Sequence, residues 1–199
     1  SCGHCEYCYS GDNNNCVGLA KKRVYDGIPS SGGLAQFIAL PISRVYRLPD
    51  QSVDLNIAAF AEPLACCIRS LDRANLALGE DAVIVGAGIM GQLHNLLVKL
   101  RGGRSIVVDL DAQRLELAKK MGADEVINPD GEDPVARIKE LTLGMGAHAI
   151  FYTLRSPTLA QEYLQALRKL GRMVYYGSFS PKDPIQVDPN AIHYTEQVI

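Results

Sequence analysis

Residues 81–91, Asp-Ala-Val-Ile-Val-Gly-Ala-Gly-Ile-Met-Gly, decide how this chain folds. An apolar run, Ala82–Val85, leads straight into Gly86-Ala87-Gly88-Ile89-Met90-Gly91. A stretch with Leu93, Leu96, Leu97 and Leu100 at helical spacing follows, closed by Gly102-Gly103. Strand, G-x-G-x-x-G turn and helix in that order open a nucleotide-binding unit. Gly86 makes the tight turn, Gly88 lets backbone approach a pyrophosphate, Gly91 lets the helix pack closely, and the positive helix end faces the phosphate. Asp109 ends the next apolar run, where a carboxylate accepts hydrogen bonds from the two hydroxyls of an adenine ribose. It would repel a 2′-phosphate, which favours NAD over NADP. The plainer alternatives are a glycine turn without a ligand, or a related fold holding FAD or S-adenosylmethionine. Arg114, one turn into the next helix, lies along the adenosine or is a solvated surface arginine. Gly177 sits at the carboxyl edge where open parallel sheets bind ligands, or simply ends its strand.

Outward from this turn, strands are expected at Ala82–Val85, Ser105–Val108, Glu125–Ile127, His148–Tyr152 and Arg172–Tyr176, with helices between them. Asp111 caps the second helix, which buries Leu115 and Ala118 and ends at Gly122; Asp133-Pro134 and Ser156-Pro157 open the third and fourth. The fourth presents Leu159, Tyr163, Leu164, Leu167 and Leu170 before Gly171. The alternation predicts an α/β fold with a parallel sheet covered by helices. Upstream, Asn56–Leu78 reads as helical, with Pro63 as a break or first-turn residue. The stretch 1–60 is irregular, with short strand-like runs at 37–40 and 44–48. Glu196–Ile199 reads as a strand that stops abruptly, and with a start at Ser1 beside a cysteine cluster the chain is expected to be a piece of something longer.

The chain has 199 residues, net charge −2, and 47% hydrophobic and 21% charged residues, an ordinary globular composition. No lysine or arginine excess marks a nucleic-acid binder, and no apolar run is long enough for a membrane helix. No signal segment opens the chain, so a cytoplasmic location is expected.

Cys2, Cys5, Cys8 and Cys16 give C-x2-C-x2-C-x7-C, with Gly3, Gly11 and three asparagines supplying turns. Four soft ligands in so short a span suit a closed, tetrahedral, structural zinc, which leaves no position for substrate. An iron–sulfur cluster also uses four cysteines, and disulfides are a further alternative. His4 within the cluster reads as a loop histidine. Cys66 and Cys67 point in different directions on a helix without partners, and His94 and His148 read as structural.

The four-cysteine lobe, Glu62-Pro63-Leu64-Ala65, the glycine turn and Asp109 together resemble the medium-chain zinc-dependent dehydrogenases, nearest the polyol (sorbitol-like) and threonine dehydrogenase branch. The resemblance covers essentially the whole chain. It implies a Rossmann-type doubly wound parallel sheet over 64–199, and over 1–63 part of an irregular, mostly-β, GroES-like catalytic domain. It implies hydride transfer between a secondary alcohol, polyol or hydroxy amino acid and NAD, with a catalytic zinc polarising the substrate oxygen. It makes Cys2, Cys5, Cys8 and Cys16 the structural zinc ligands. Gly86, Gly88, Ile89, Met90 and Gly91 would face the pyrophosphate, Asp109 and Arg114 the adenosine, and the backbone of Tyr176, Gly177 and Ser178 the nicotinamide. Glu62 would reach the catalytic zinc or its water, tuning the metal or relaying a proton; otherwise it is a helix-start acid. Homodimers or homotetramers are expected.

Three departures stand out. Ile89 replaces a common proline, Leu154 replaces a common glycine, and the family's upstream cysteine and His-Glu zinc ligands are not within this sequence. A non-catalytic nucleotide-sensing or zinc interaction module is the competing reading.

Overall fold

The computed structural model describes residues 2–18, 24–25, 28–29, 35–38, 40, 42, 45–50 and 52–199. The chain divides into two compact units, Ser1–Val53 and Asp54–Ile199.

The first unit holds a one-turn helix α1 (Glu6–Tyr9), a 3₁₀ turn (Asn13–Asn15), and the two-residue antiparallel strands β1 (Val24–Tyr25) and β2 (Ile28–Pro29). The expected strands at 37–40 and 44–48 do not form among the described residues, where Phe37, Ile38, Leu40 and Val45–Leu48 carry no strand; Ala39 and Arg44 lie outside them. These runs alternate too briefly to recruit a ladder partner.

The second unit opens with α2 (Leu55–Ala58) and α3 (Ala61–Ala74), and Pro63 falls in the first turn of α3, where its missing N–H has no intrahelical partner to lose. There follow β3 (Asp81–Val85), α4 (Ile89–Leu100), β4 (Arg104–Val108), α5 (Ala112–Lys120), β5 (Glu125–Ile127), α6 (Pro134–Leu141), β6 (Ala147–Tyr152), α7 (Pro157–Leu164), β7 (Leu167–Tyr175) and α8 (Pro189–Thr195). The five strands β3–β7 pair in parallel in the order β5-β4-β3-β6-β7, the doubly wound Rossmann arrangement.

Both faces of this sheet are covered. On one, Val83, Val85, Ile106, Val108, Ile150 and Tyr152 pack with Ile138 of α6 and Ala160 and Tyr163 of α7. On the other, Ala82, Ile84, Val107, Ala149 and Phe151 pack with Leu71 of α3, Val98 of α4 and Leu115 and Ala118 of α5. Burial of alternate side chains on opposite faces is why these strands read as continuous apolar runs rather than alternating ones.

Two expectations need correction. The fourth helix stops at Leu164 instead of reaching Leu170. Leu167 pairs with Ala147 at the start of β7, a register shift follows, and Leu170 stands exposed with φ +62° before regular pairing resumes at Arg172. A leucine-rich strand entry mimicked helical spacing. At the C-terminal end, α8 takes the residues before Glu196, and the expected strand reduces to one parallel bridge between Val198 and Arg172, beside β7. Among the described residues no helix is long and apolar enough to cross a membrane.

Candidate functional site

In the first unit, the Sγ atoms of Cys2, Cys5, Cys8 and Cys16 all lie within 4.8 Å of one another. Cys5 and Cys8 Sγ are 3.5 Å apart, and Cys2 and Cys8 Sγ 3.9 Å. A zinc–sulfur bond of about 2.3 Å sets tetrahedral edges of about 3.8 Å, so two of the Sγ pairs stand near the spacing of a zinc cage and the rest lie within 4.8 Å. Backbone N–H groups of Cys2 and Gly18 donate to Cys16 Sγ at 3.0 and 3.3 Å. Burial alone would raise the Cys16 thiol, but these donors, with the neighbouring thiols of Cys2 and Cys8, bring it down to about 6, toward the thiolate that binds metal. A Cβ on Gly18 would lie 2.8 Å from Cys2 Cβ, so only glycine lets the chain close there. His4 is not in the cage; its Nδ1 sits 2.8 Å from the Cys2 carbonyl.

In the second unit the glycine turn lies at the carboxyl ends of β3 and β6, where the strand order reverses and open sheets leave a crevice. Gly86 has φ +99°, the left-handed region that disfavours a side chain. A Cβ on Gly91 would fall 1.8 Å from the Gly86 carbonyl oxygen, whereas one on Gly88 would meet nothing within 4 Å. Gly91 is thus needed for packing, and Gly88 leaves open space in front of the backbone. Side chains cap α2, α5, α6, α7 and α8 through Asp54, Asp111, Asp133, Ser156 and Asp188. Helix α4 has Gly88 at its cap and no side-chain acceptor, so its first N–H groups stay available to an anion. These features fit a pyrophosphate. Ile89 is exposed there, while Met90 turns inward, its Sδ accepting from Tyr176 Oη at 3.3 Å.

Asp109, just past β4, is tied to the turn: Oδ2 accepts from Ala87 N–H at 2.6 Å and Oδ1 from Asp111 N–H at 2.8 Å. Each carboxylate oxygen keeps a further acceptor position for a ribose hydroxyl. Arg114 Nη1 lies 3.9 Å from Asp109 Oδ2, with half its side chain exposed. A cleft of about 380 Å³ opens beside them, walled by Leu110, Pro129, Leu154 and Tyr163 among others. Leu154 backs the turn: a Cβ on Gly86 would press on its side chain and one on Gly177 on its carbonyl oxygen. Ser178 is exposed beyond Gly177.

Behind the turn lies a polar cluster that sequence reasoning read only as packing. His94 of α4 is fully buried; its Nδ1–H donates to the Met90 carbonyl at 2.7 Å and its Nε2 accepts from Ser70 Oγ of α3 at 3.0 Å. Its ring packs on Phe151 and meets Tyr176 edge-on at 4.8 Å. Burial lowers its pKa to about 4, so it is neutral in the folded protein. Cys67, expected to lack partners, is buried with Sγ 3.7 Å from Tyr176 Oη; burial pushes its thiol up. Cys66 is exposed on the same helix, and its Sγ lies 3.5 Å from Glu62 Oε1. Glu62 itself is an exposed first-turn acid of α3. Among the described residues the four cysteines are the one gathering of three or more potential metal donors, so nothing there completes a second metal site around Glu62. Arg172 of β7 anchors the far end of α3, donating to the Ala74 carbonyl at 2.7 Å and pairing with Glu80.

Residues 89–199 match the family model described as zinc-binding dehydrogenase. The chain is 33% identical over 178 residues to a sorbitol dehydrogenase of Bacillus subtilis, covering 89% of this chain and 49% of the relative. It is 30% identical over 192 residues to an L-threonine 3-dehydrogenase of Caldanaerobacter subterraneus, covering 96% and 54%. Its fold superposes with a TM-score of 0.88 on a structure described as a zinc-binding dehydrogenase from Sinorhizobium meliloti bound to NADP, at 26% identity over 100% of this chain and 57% of that one. The chain therefore spans about half the length of the curated relatives it matches.

Proposed function

The chain belongs to the zinc-binding dehydrogenase family, and on that premise we propose that it supplies the dinucleotide-binding unit and structural zinc lobe of an oxidoreductase. The reaction is hydride transfer between NAD and a small secondary alcohol, a polyol or a hydroxy amino acid. The observation that carries this reading is the joint geometry of the uncapped α4, the open space in front of Gly88 and the Asp109 carboxylate bonded to Ala87. The nicotinamide ring, when bound, supplies the hydride acceptor.

The protein's own residues bind and orient. The α4 N–H groups and the backbone of Gly86–Gly91 take the phosphates, and Asp109 and Arg114 take the adenosine. The backbone of Tyr176, Gly177 and Ser178 takes the nicotinamide end. Cys2, Cys5, Cys8 and Cys16 hold a zinc that braces their lobe and, being closed, performs no chemistry. Glu62, an exposed first-turn acid of α3, would tune the catalytic metal or relay a proton in the complete enzyme. Support for the polyol or hydroxy amino acid class comes from the sorbitol and threonine dehydrogenase relatives. The same reading takes 1–63 and 64–199 as parts of catalytic and coenzyme domains, and the protein as cytoplasmic and homo-oligomeric.

Asp109 favours NAD, because a 2′-phosphate would bring like charge against its carboxylate. The test is paired titration of the chain with NADH and NADPH. Asp109→Ala frees the Ala87 N–H for either coenzyme, but it removes ribose hydrogen bonds to a charged acceptor only from NADH, so it should weaken NADH binding by about tenfold more than NADPH binding. Equal loss for both coenzymes refutes the ribose role, and failure of the unsubstituted chain to bind either refutes the dinucleotide reading.

A further inference from the structure

Ala87, the second residue of the glycine turn, is held through both polar atoms of its backbone. Its N–H donates to Asp109 Oδ2, and its carbonyl accepts from Gln92 Nε2 at 3.1 Å. The same amide nitrogen donates to the carbonyl of Arg114, on the next helix, at 2.9 Å. A primary amide carries two hydrogens on one neutral atom, which is what two converging carbonyls require; an ionised carboxylate or an apolar side chain offers none. Gln92 is 6% exposed, and its Oε1 is buried without a partner. The side chain is therefore oriented by its two donor contacts alone, and it keeps an unsatisfied acceptor that an apolar residue would not carry.

We infer that Gln92 is a positioning residue for the dinucleotide. By tying Ala87 to Arg114 it fixes the turn that takes the phosphates in register with the α5 end that, with Asp109, takes the adenine ribose. This rests on the dinucleotide reading above and adds a residue to it. Phosphates and ribose are joined covalently in the ligand, so both contacts form fully only when the two cradles keep one spacing. Loosening that spacing penalises a ligand that spans both cradles and spares one that rests on a single cradle.

The test uses the full chain, with ADP-ribose and adenosine each competing against NADH fluorescence. Gln92→Leu weakens ADP-ribose by about tenfold and adenosine by less than twofold. Gln92→Glu keeps the shape of the side chain and in either protonation state loses at least one of the two donors, so it too weakens ADP-ribose selectively; adenosine binding within twofold of the unsubstituted chain shows that each variant has folded. Equal weakening of both ligands or unchanged ADP-ribose binding overturns the inference while leaving the dinucleotide reading intact. Absence of NADH and ADP-ribose binding by the unsubstituted chain overturns both.

Discussion

Acidification should destabilise the second unit chiefly through one fully buried histidine. His94 is fully buried, and its Nε2 accepts a hydrogen bond from Ser70, an arrangement that only the neutral ring can make. Its pKa falls from 6.5 to about 4 on folding because burial disfavours the charged ring. The unfolded chain therefore takes up a proton near pH 6.5 that the folded chain refuses until about pH 4. Stability from this group is intact above pH 6.5 and lost as pH falls toward 4, at about 1.4 kcal/mol per pH unit. Between pH 7.5 and pH 5.0 the loss comes to about 2 kcal/mol, and the full span to about 3 kcal/mol. His94→Gln keeps a polar side chain that does not titrate, and His148, whose pKa burial also lowers, is present in both proteins. Urea unfolding of the ligand-free chain at the two pH values should show a loss of stability smaller by about 2 kcal/mol for His94→Gln. Equal pH dependence in the two proteins would show that the ring protonates in place, and would refute the argument that burial keeps it neutral.

The two glycines of the turn should separate fold from binding. Gly91→Ala, with its Cβ driven against a backbone oxygen, should lower the thermal midpoint by more than about 10 °C or prevent folding, since backbone cannot yield as a flexible side chain does. Gly88→Ala enters open space with an ordinary φ of −67°, so the midpoint should move by less than about 2 °C while NADH binding weakens at least tenfold. Replacing the buried Cys16 by serine removes one of four ligands and the anchor for two N–H donors; zinc content by atomic absorption should fall from about one ion per chain toward zero, and retention of zinc would point away from the four-thiolate cage.

What was legible in the sequence was local. The strand, glycine turn and helix over 81–100 lie within one stretch, and Asp111, Asp133 and Ser156 announce helix starts through chemistry confined to three residues. The cysteine spacing works the same way. Long-range partners were not legible. Gln92 reads as an ordinary polar residue on a helix until Arg114 is brought beside it, and Tyr176, read for its backbone, sends its ring behind the turn to Met90, His94 and Cys67. Leu167 and Leu170 show the opposite failure, a periodic pattern that the sheet overrode by recruiting Leu167 as a partner for Ala147.

The parallel order of the sheet also sets a schedule for its making. On β3, Ala82 finds its partner Ser105 one helix further along the chain, but its partner Ala149 on the other side comes only after β5 and two more helices. At a synthesis rate of about 5–20 residues per second, the stretch between Ser105 and Ala149 takes about 2–9 s to make, and one edge of the central strand waits that long for β6. The crevice at the end of β3 has no second wall until that strand arrives, so a ligand that needs both walls can bind only after β6 has been made.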